Sequence, residues 1–383
     1  MDLNRVLSQR LATQRLSSTP LASAADAVRL LTCVQSQERD HAFFSLAMRS
    51  TSSTYAAVRA EHDAGSFVRT HILRPTWHFV APEDLRWILR LTSPRVLSGM
   101  AGRHRQLGLE DPRRLGDGLD LLSELLQDKP FRTRQEIGAA FGERGSPITP
   151  GEQLGHLLLV AELRGLVCSG PMSGAHHSYA LVDDVIPDTP ALDRDEALRE
   201  LVRRFFVGHG PASVKDFTRW SSLTGADTKA ALADLGDRLQ QVEVDGTAHW
   251  CDPAATPRRR RGAPTAYLLP VYDEVILSYP QVSFPAAPDH PFAERPDPFW
   301  ARVVLDGVDV GLWKRSVSAG VVEVDVRLAP SVSELGREEI RRAAQVLAGF
   351  LERDLSYAEN EGRPHLWGGE LGHPATRARR VAR

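Results

Sequence analysis

The chain has 383 residues, 42% of them hydrophobic and 25% charged, with a formal net charge of −2. That length exceeds one compact core and implies roughly two to four units of ordinary globular composition. The near-neutral balance excludes a global positive field, so a nucleic-acid partner has to be met by local patches. Arginine supplies nearly all the positive charge, since Lys129, Lys215, Lys229 and Lys314 are the four lysines. With the abundant Ala, Gly and Pro, that skew fits high-GC coding. Cys33, Cys168 and Cys251 are far apart and form no CxxC pair, which excludes a disulfide framework and a zinc cluster. The N-terminal MDLNRVLSQRLATQRL lacks an apolar signal-type core, and no run reaches transmembrane length. A cytoplasmic chain with no membrane partner is expected.

The predicted elements fall into three loose copies of one plan, helices followed by two short strands. In the first, Leu21 to Leu31 and His41 to Arg49 read as helices. Phe67 to Val80 (FVRTHILRPTWHFV) is rich in β-branched and aromatic residues and reads as paired strands. Pro82 starts a further helix. In the second, Thr133 and Glu136 form a capping box for a helix to Phe141. A loop (GSPITP), a helix from Gln153 to Arg164, and strands in LVCSGP and SYALV follow. In the third, helices span Glu196 to Val207, Pro211 to Trp220 and Asp227 to Leu235. Strands from Leu239 to Val244 and Thr247 to Cys251 are joined by Asp245-Gly246, a strong hairpin signal. Thr256 to Pro264 (TPRRRRGAP) reads as a linker. Beyond it, Tyr267 to Leu277, Arg302 to Leu305, Val308 to Lys314 and Val321 to Leu328 are strand-like, Asp306-Gly307 marks a hairpin, and Glu339 to Leu351 is helical. The expected fold class is α+β: three tandem winged-helix motifs (1–110, 111–192, 193–255) and a β-rich, barrel-like C-terminal domain with a terminal helix (256–383).

No phosphate-cradling Walker loop, HExxH helix or GxSxG elbow is present, and no metal or cofactor is expected. His176-His177 reads as a surface loop. Arg258 to Arg261 and Arg103-His104-Arg105 fit phosphate contacts, with solvated surface at least as good a reading, and the basic tail from Thr376 reads as frayed. Two segments remain. Gln35 and Gln37 (VQSQ, 34–37) follow an apolar helix, where two amides can simply close a helix end. Positions i and i+2 of a helix diverge by about 200°, so a shared role requires the helix to end or unwind near Ser36. Thr76 and His78 alternate with Trp77 and Phe79, so a strand presents the first pair on one face and the aromatic pair to the core.

Five segments together resemble the AlkZ-like and YcaQ-like winged-helix DNA glycosylases: VQSQ, RTHILRPTWHFV (69–80), GPASVKDFTRW (210–220), LLPVYDEVILSY (268–279) and LDGVDVGLWKR (305–315). The resemblance covers most of the chain. It implies tandem winged helices around a concave DNA-binding face. It also implies a catalytic Gln-Φ-Gln motif matched by Gln35 and Gln37, with Ser36 replacing the aliphatic centre. In the YcaQ-like branch the second Gln is acidic. The resemblance assigns Thr76 and His78, with Arg69 and Arg74 of the same segment, to the active cleft and DNA contact. The implied function is that of a monomeric, metal-independent, monofunctional glycosylase. It would release N7-alkylguanine from double-stranded DNA, bulky natural-product adducts or interstrand crosslinks above all, and so could confer self-resistance to a genotoxin. The competing readings are a non-enzymatic winged-helix regulator and an adduct-binding resistance protein.

Overall fold

Each amphipathic helix of the chain needs a partner for its apolar stripe, and one arrangement answers that need three times over. The computed structural model describes residues 1–255, 264–280, 282–291 and 300–360. Arg258 to Arg261 and the tail from Thr376 lie outside the described residues. Helix α1 (Leu3–Thr13) comes first. The first repeat then runs α2 (Ala24–Leu31), β1 (Cys33–Gln35), α3 (Arg39–Ala47), α4 (Tyr55–Asp63), β2 (Val68–Ile72) and β3 (Thr76–Val80). Its strands pair antiparallel in the order β1-β3-β2.

Helices α5 (Pro82–Gly99) and α6 (Ala101–Gln106) lead to the second repeat. It runs α7 (Pro112–Asp128), β4 (Arg132–Thr133), α8 (Arg134–Glu143), α9 (Glu152–Leu163), β5 (Val167–Ser169) and β6 (Ser178–Leu181), again with the edge strand first in the order β4-β6-β5. The capping box of Thr133 and Glu136 forms as its spacing predicts. After the short α10 (Val182–Val185), the third repeat runs α11 (Arg194–His209), α12 (Val214–Ser221), α13 (Gly225–Leu235), β7 (Gln240–Val244) and β8 (Thr247–Cys251). Here a single bridge, Ala212 to Trp250, stands in for the edge strand. Asp245 and Gly246 both take positive φ, as their hairpin turn requires.

The C-terminal part comprises β9 (Ala266–Leu269), α14 (Glu274–Leu277), β10 (Ala301–Leu305), β11 (Val308–Val317), β12 (Val321–Leu328), α15 (Glu334–Leu351) and β13 (Asp354–Glu359). The barrel-like expectation is corrected: the five strands form an open sheet, β13-β12-β11-β10-β9, with β13 parallel to β12. Val322, Val324 and Val326 alternate into a core shared with Ile340 and Leu347 of α15, so a helix covers the face that closure would have buried. The strand expected over Tyr267 to Leu277 stops at Leu269. Pro270 follows, and the Asp273 carboxylate caps α14 by accepting the Val275 N–H at 3.0 Å.

The first repeat and the C-terminal sheet share one core, where Phe44 meets Phe350 at 5.2 Å between ring centroids. Arg49, just beyond the end of α3, crosses to Asp273 in a fully buried two-pronged pair at 2.7 and 2.9 Å, and the Ser45 hydroxyl donates to the same carboxylate. That tie fixes α14 beneath β1.

Candidate active site

The Gln-Ser-Gln segment lies on a strand and the loop after it rather than on a helix end, which removes the divergence a helix would impose. Helix α2, capped by Ser23, stops at Leu31 because Thr32 takes φ +65°. Cys33, Val34 and Gln35 then pair with Val80, Phe79 and His78 of β3, and the Ser36 N–H donates to the Trp77 carbonyl at 2.8 Å. Gln35 sits in one cross-strand row with His78 and Thr70.

Gln35 is buried, at 8% exposed. Its side-chain Oε1 accepts from Nη2 of Arg74 at 2.6 Å, and its backbone N–H donates to Oε1 of Glu274 at 2.8 Å. The same Arg74 Nη2 donates to Nε2 of His78 at 3.2 Å, while Nδ1 of His78 donates to the Thr76 carbonyl at 2.9 Å. Burial, and then the charge of Arg74, depress the His78 pKa to about 3. His78 is therefore neutral and holds Arg74; with both ring nitrogens occupied, it has no proton to exchange with a substrate. Glu274 is likewise fully buried. Burial alone would raise its pKa, but the His209 ring 3.7 Å away, the Gln35 N–H and the Ser278 hydroxyl hold it at about 2.

Gln37 is exposed. Its backbone is clamped from below: the Arg69 guanidinium donates to the Ser36 carbonyl at 2.9 and 3.1 Å and to the Gln37 carbonyl at 3.3 Å. Arg69 is 5% exposed, lies 4.1 Å from the Trp77 ring centroid, and has its pKa lowered by burial to about 10. It positions the loop and has no free face for a phosphate. The Gln37 side chain borders a pocket of about 320 Å³ walled by His71, Trp77, Arg103, Arg134 and His156. This opens into a cleft of about 690 Å³ that shares Trp77, Arg134 and Tyr179. Trp77 departs from the expected core placement. Phe79 alone enters the core, whereas Trp77 lies at the cleft wall with its indole N–H donating to buried Glu162 at 3.3 Å. Thr76 is partly buried with its hydroxyl unpaired.

Gln35, Arg69, Arg74, Thr76 and His78 thus come together, with Gln37 at their rim. Sequence reading missed Glu274, Trp77 as a cleft wall, and the second-repeat residues Arg134 and His156. Glu274 lies in a segment that carries the family resemblance, but its role depends on a contact across 239 positions. Arg103 pairs with Glu152 at 3.0 Å. His176 and His177 line the wider cleft. Among the described residues, no three His, Cys, Asp or Glu side chains converge as metal ligands, and no helix is long and apolar enough to cross a membrane. What the arrangement offers chemically is a pair of carboxamides beside a cleft: Gln35 is buried with its oxygen on Arg74, and Gln37 is exposed with its oxygen accepting the Trp77 backbone N–H at 3.4 Å and its amide N–H group facing the pocket.

Residues 28–350 match the family described as DNA glycosylase AlkZ-like. The interstrand DNA cross-link repair glycosylase of Streptomyces sahachiroi is 27% identical over 344 residues, covering 81% of this chain and 87% of that protein. The solved structure of DNA glycosylase AlkZ from the same organism aligns with a TM-score of 0.72 at 22% identity. It covers 94% of this chain and 100% of that one, a likeness of fold.

Proposed function

We propose the following for a chain that belongs to the AlkZ-like DNA glycosylase family: it hydrolyses the N-glycosidic bond of N7-alkylguanine in double-stranded DNA and leaves an abasic site. Bulky adducts and interstrand crosslinks are the preferred lesions, which makes self-resistance to a genotoxin a natural role. The three repeats (1–110, 111–192, 193–255) act as winged-helix motifs along the duplex, and the protein works as a cytoplasmic monomer. The observation that carries the reading is the exposed Gln37 carboxamide at the mouth of an open cleft, its backbone clamped by Arg69. The cross-link repair glycosylase of S. sahachiroi supports the lesion class.

The chemistry follows from the leaving group. Alkylation at N7 makes guanine cationic, so the C1′–N9 bond breaks with its electron pair passing to the base, which departs neutral. Water bonds to C1′ and releases a proton to solvent. Such a base needs little acid catalysis. Gln37 orients the water and turns its amide dipole toward the developing positive charge on the sugar. Gln35 has its oxygen engaged by Arg74, so its amide N–H group is left to shape the site. No metal is invoked, and no lysine amine is assigned to the site. Lys129 pairs with Glu136 and Lys314 with Asp325, while Lys215 and Lys229 lie on α12 and α13. A monofunctional enzyme follows.

The test is release of free base and formation of abasic sites from duplexes bearing small, bulky and crosslinked N7-alkylguanine, with and without chelator. Release from all three, unaffected by chelator and without borohydride-trapped protein–DNA, is the expected result. No release from any lesion returns the chain to a DNA-binding regulator.

A further inference from the structure

Arg74 poses an electrostatic problem for any reaction whose transition state is cationic. Its guanidinium contacts the Gln35 carboxamide directly, at 2.6 Å. His78, its other partner, is neutral and offers no counter-charge. Arg219 adds a second positive influence on Arg74. Among the described residues, no carboxylate forms an ion pair with Arg74. The carboxylate acting on it lies across the strand, at Glu274, with a lesser influence from the buried Cys33 thiol. That carboxylate is fixed on both oxygens: Oε1 accepts the Gln35 N–H at 2.8 Å, and Oε2 accepts the Ser278 hydroxyl at 2.7 Å with the buried His209 ring 3.7 Å away. It is fully buried and cannot touch DNA.

We propose that Glu274 is a positioning and charge-balancing residue. It holds the Gln35 strand in register and cancels the field of Arg74 where positive charge moves from base to sugar. The inference rests on the glycosylase reading. Two features conflict at Gln35: the donor that locks the carboxamide is cationic, yet a naked cation beside an oxocarbenium-like sugar raises the barrier. A buried carboxylate on the far side of the same peptide resolves the conflict, because charges in a dry site are poorly screened. Glu274 thereby acts through Gln35 and through its field, never by contact with substrate. The Arg49–Asp273 tie one residue earlier keeps it in place.

The experiment uses the full-length protein, single-turnover excision from a defined N7-alkylguanine duplex, DNA-binding curves and thermal melts. Glu274→Gln preserves volume and leaves an acceptor for the Gln35 N–H while removing the charge. Its excision rate is expected to fall about tenfold or more, with DNA affinity within about twofold of wild type. Adding Arg74→Gln, which keeps an N–H donor, is expected to recover most of the lost rate, since both charges are then gone. A purely structural glutamate would not be rescued by a second buried substitution. Wild-type rates for Glu274→Gln overturn the inference, as does a loss that Arg74→Gln leaves unrelieved. Should the single variant not fold, the double variant decides. Folded and near wild-type rate supports the charge balance; folded but slow, or unfolded, overturns it. If the wild-type protein releases no base from any lesion, the glycosylase reading falls and takes this inference with it. If wild type is active and Glu274→Gln is unaffected, the inference alone falls.

Discussion

The junction that leads from the sheet edge, a strand in two repeats and a single bridge in the third, into the following helix occurs in all three repeats, and the first is built differently from the others. In the second repeat β4 runs straight into α8 through Thr133, whose hydroxyl and Glu136 form a capping box. In the third, Ser213 and Asp216 do the same for α12. In the first, three residues separate β1 from α3, and Glu38 at the N-cap position makes no side-chain cap. The N-cap and N3 positions that elsewhere close the helix are here Glu38 and His41, and Gln35, Ser36 and Gln37 lie just ahead of them. The Ser36 and Gln37 carbonyls are held instead by Arg69 of β2, reaching across β3. A capping box is worth about 1 kcal/mol to a helix. Giving it up frees a stretch of chain at the same topological position to carry side chains into a cleft. Repetition supplies the scaffold, and the copy that breaks the local rule carries the candidate chemistry.

The sharpest way to break this comparison is Gln37→Ala. Gln37 is exposed and stabilises little, so melting should be unchanged while single-turnover excision slows by ~10²–10³, or ~2.7–4 kcal/mol of barrier. Gln37→Asp should retain more activity than alanine, because a carboxylate also orients water. Equal rates for wild type and both variants would leave the first junction with no chemical role. Gln35→Ala comes next and separates the two amides. It strands the buried Arg74 without its acceptor, so melting should register a loss of ~1–3 kcal/mol alongside a slower rate. A variant as stable as wild type would mean that the lock on Gln35 contributes nothing. The smallest effect belongs to the ordinary junction: Thr133→Ala should cost ~1 kcal/mol in stability and leave excision per folded molecule unaltered. A changed rate there would show the repeats to be less divided in their labour than the caps suggest.

Features coded by a few adjacent residues are legible in the amino-acid sequence. The capping box at Thr133 and Glu136 and the Asp245-Gly246 turn need only their own neighbours, and both form as expected. The resemblance carried by VQSQ and RTHILRPTWHFV likewise leads to the region where Gln35, Arg74 and His78 meet. What stays hidden depends on contacts from afar. Cys-Val-Gln is too short to read as a strand and becomes one by pairing with residues 78 to 80. Trp77 alternates as a core residue should, but buried Glu162 of the second repeat draws its indole N–H to a cleft wall. A terminal sheet rich in valine reads as closed because its pattern cannot reveal that α15 already covers the inward face. His78 reads as part of a cleft wall, and its depressed pKa comes first from burial and then from the charge of Arg74, neither of which its own neighbours in sequence display.

The 239-residue separation between Gln35 and Glu274 has a consequence for the birth of the protein. A ribosome adding about 5–20 residues per second needs roughly ten to fifty seconds to travel from one to the other. For most of that time the Gln-Ser-Gln loop is outside the tunnel without the carboxylate that holds its strand from beneath. The site is therefore the last thing to be completed: its first strand is made early, and the carboxylate beneath it arrives only when the C-terminal part has been synthesised.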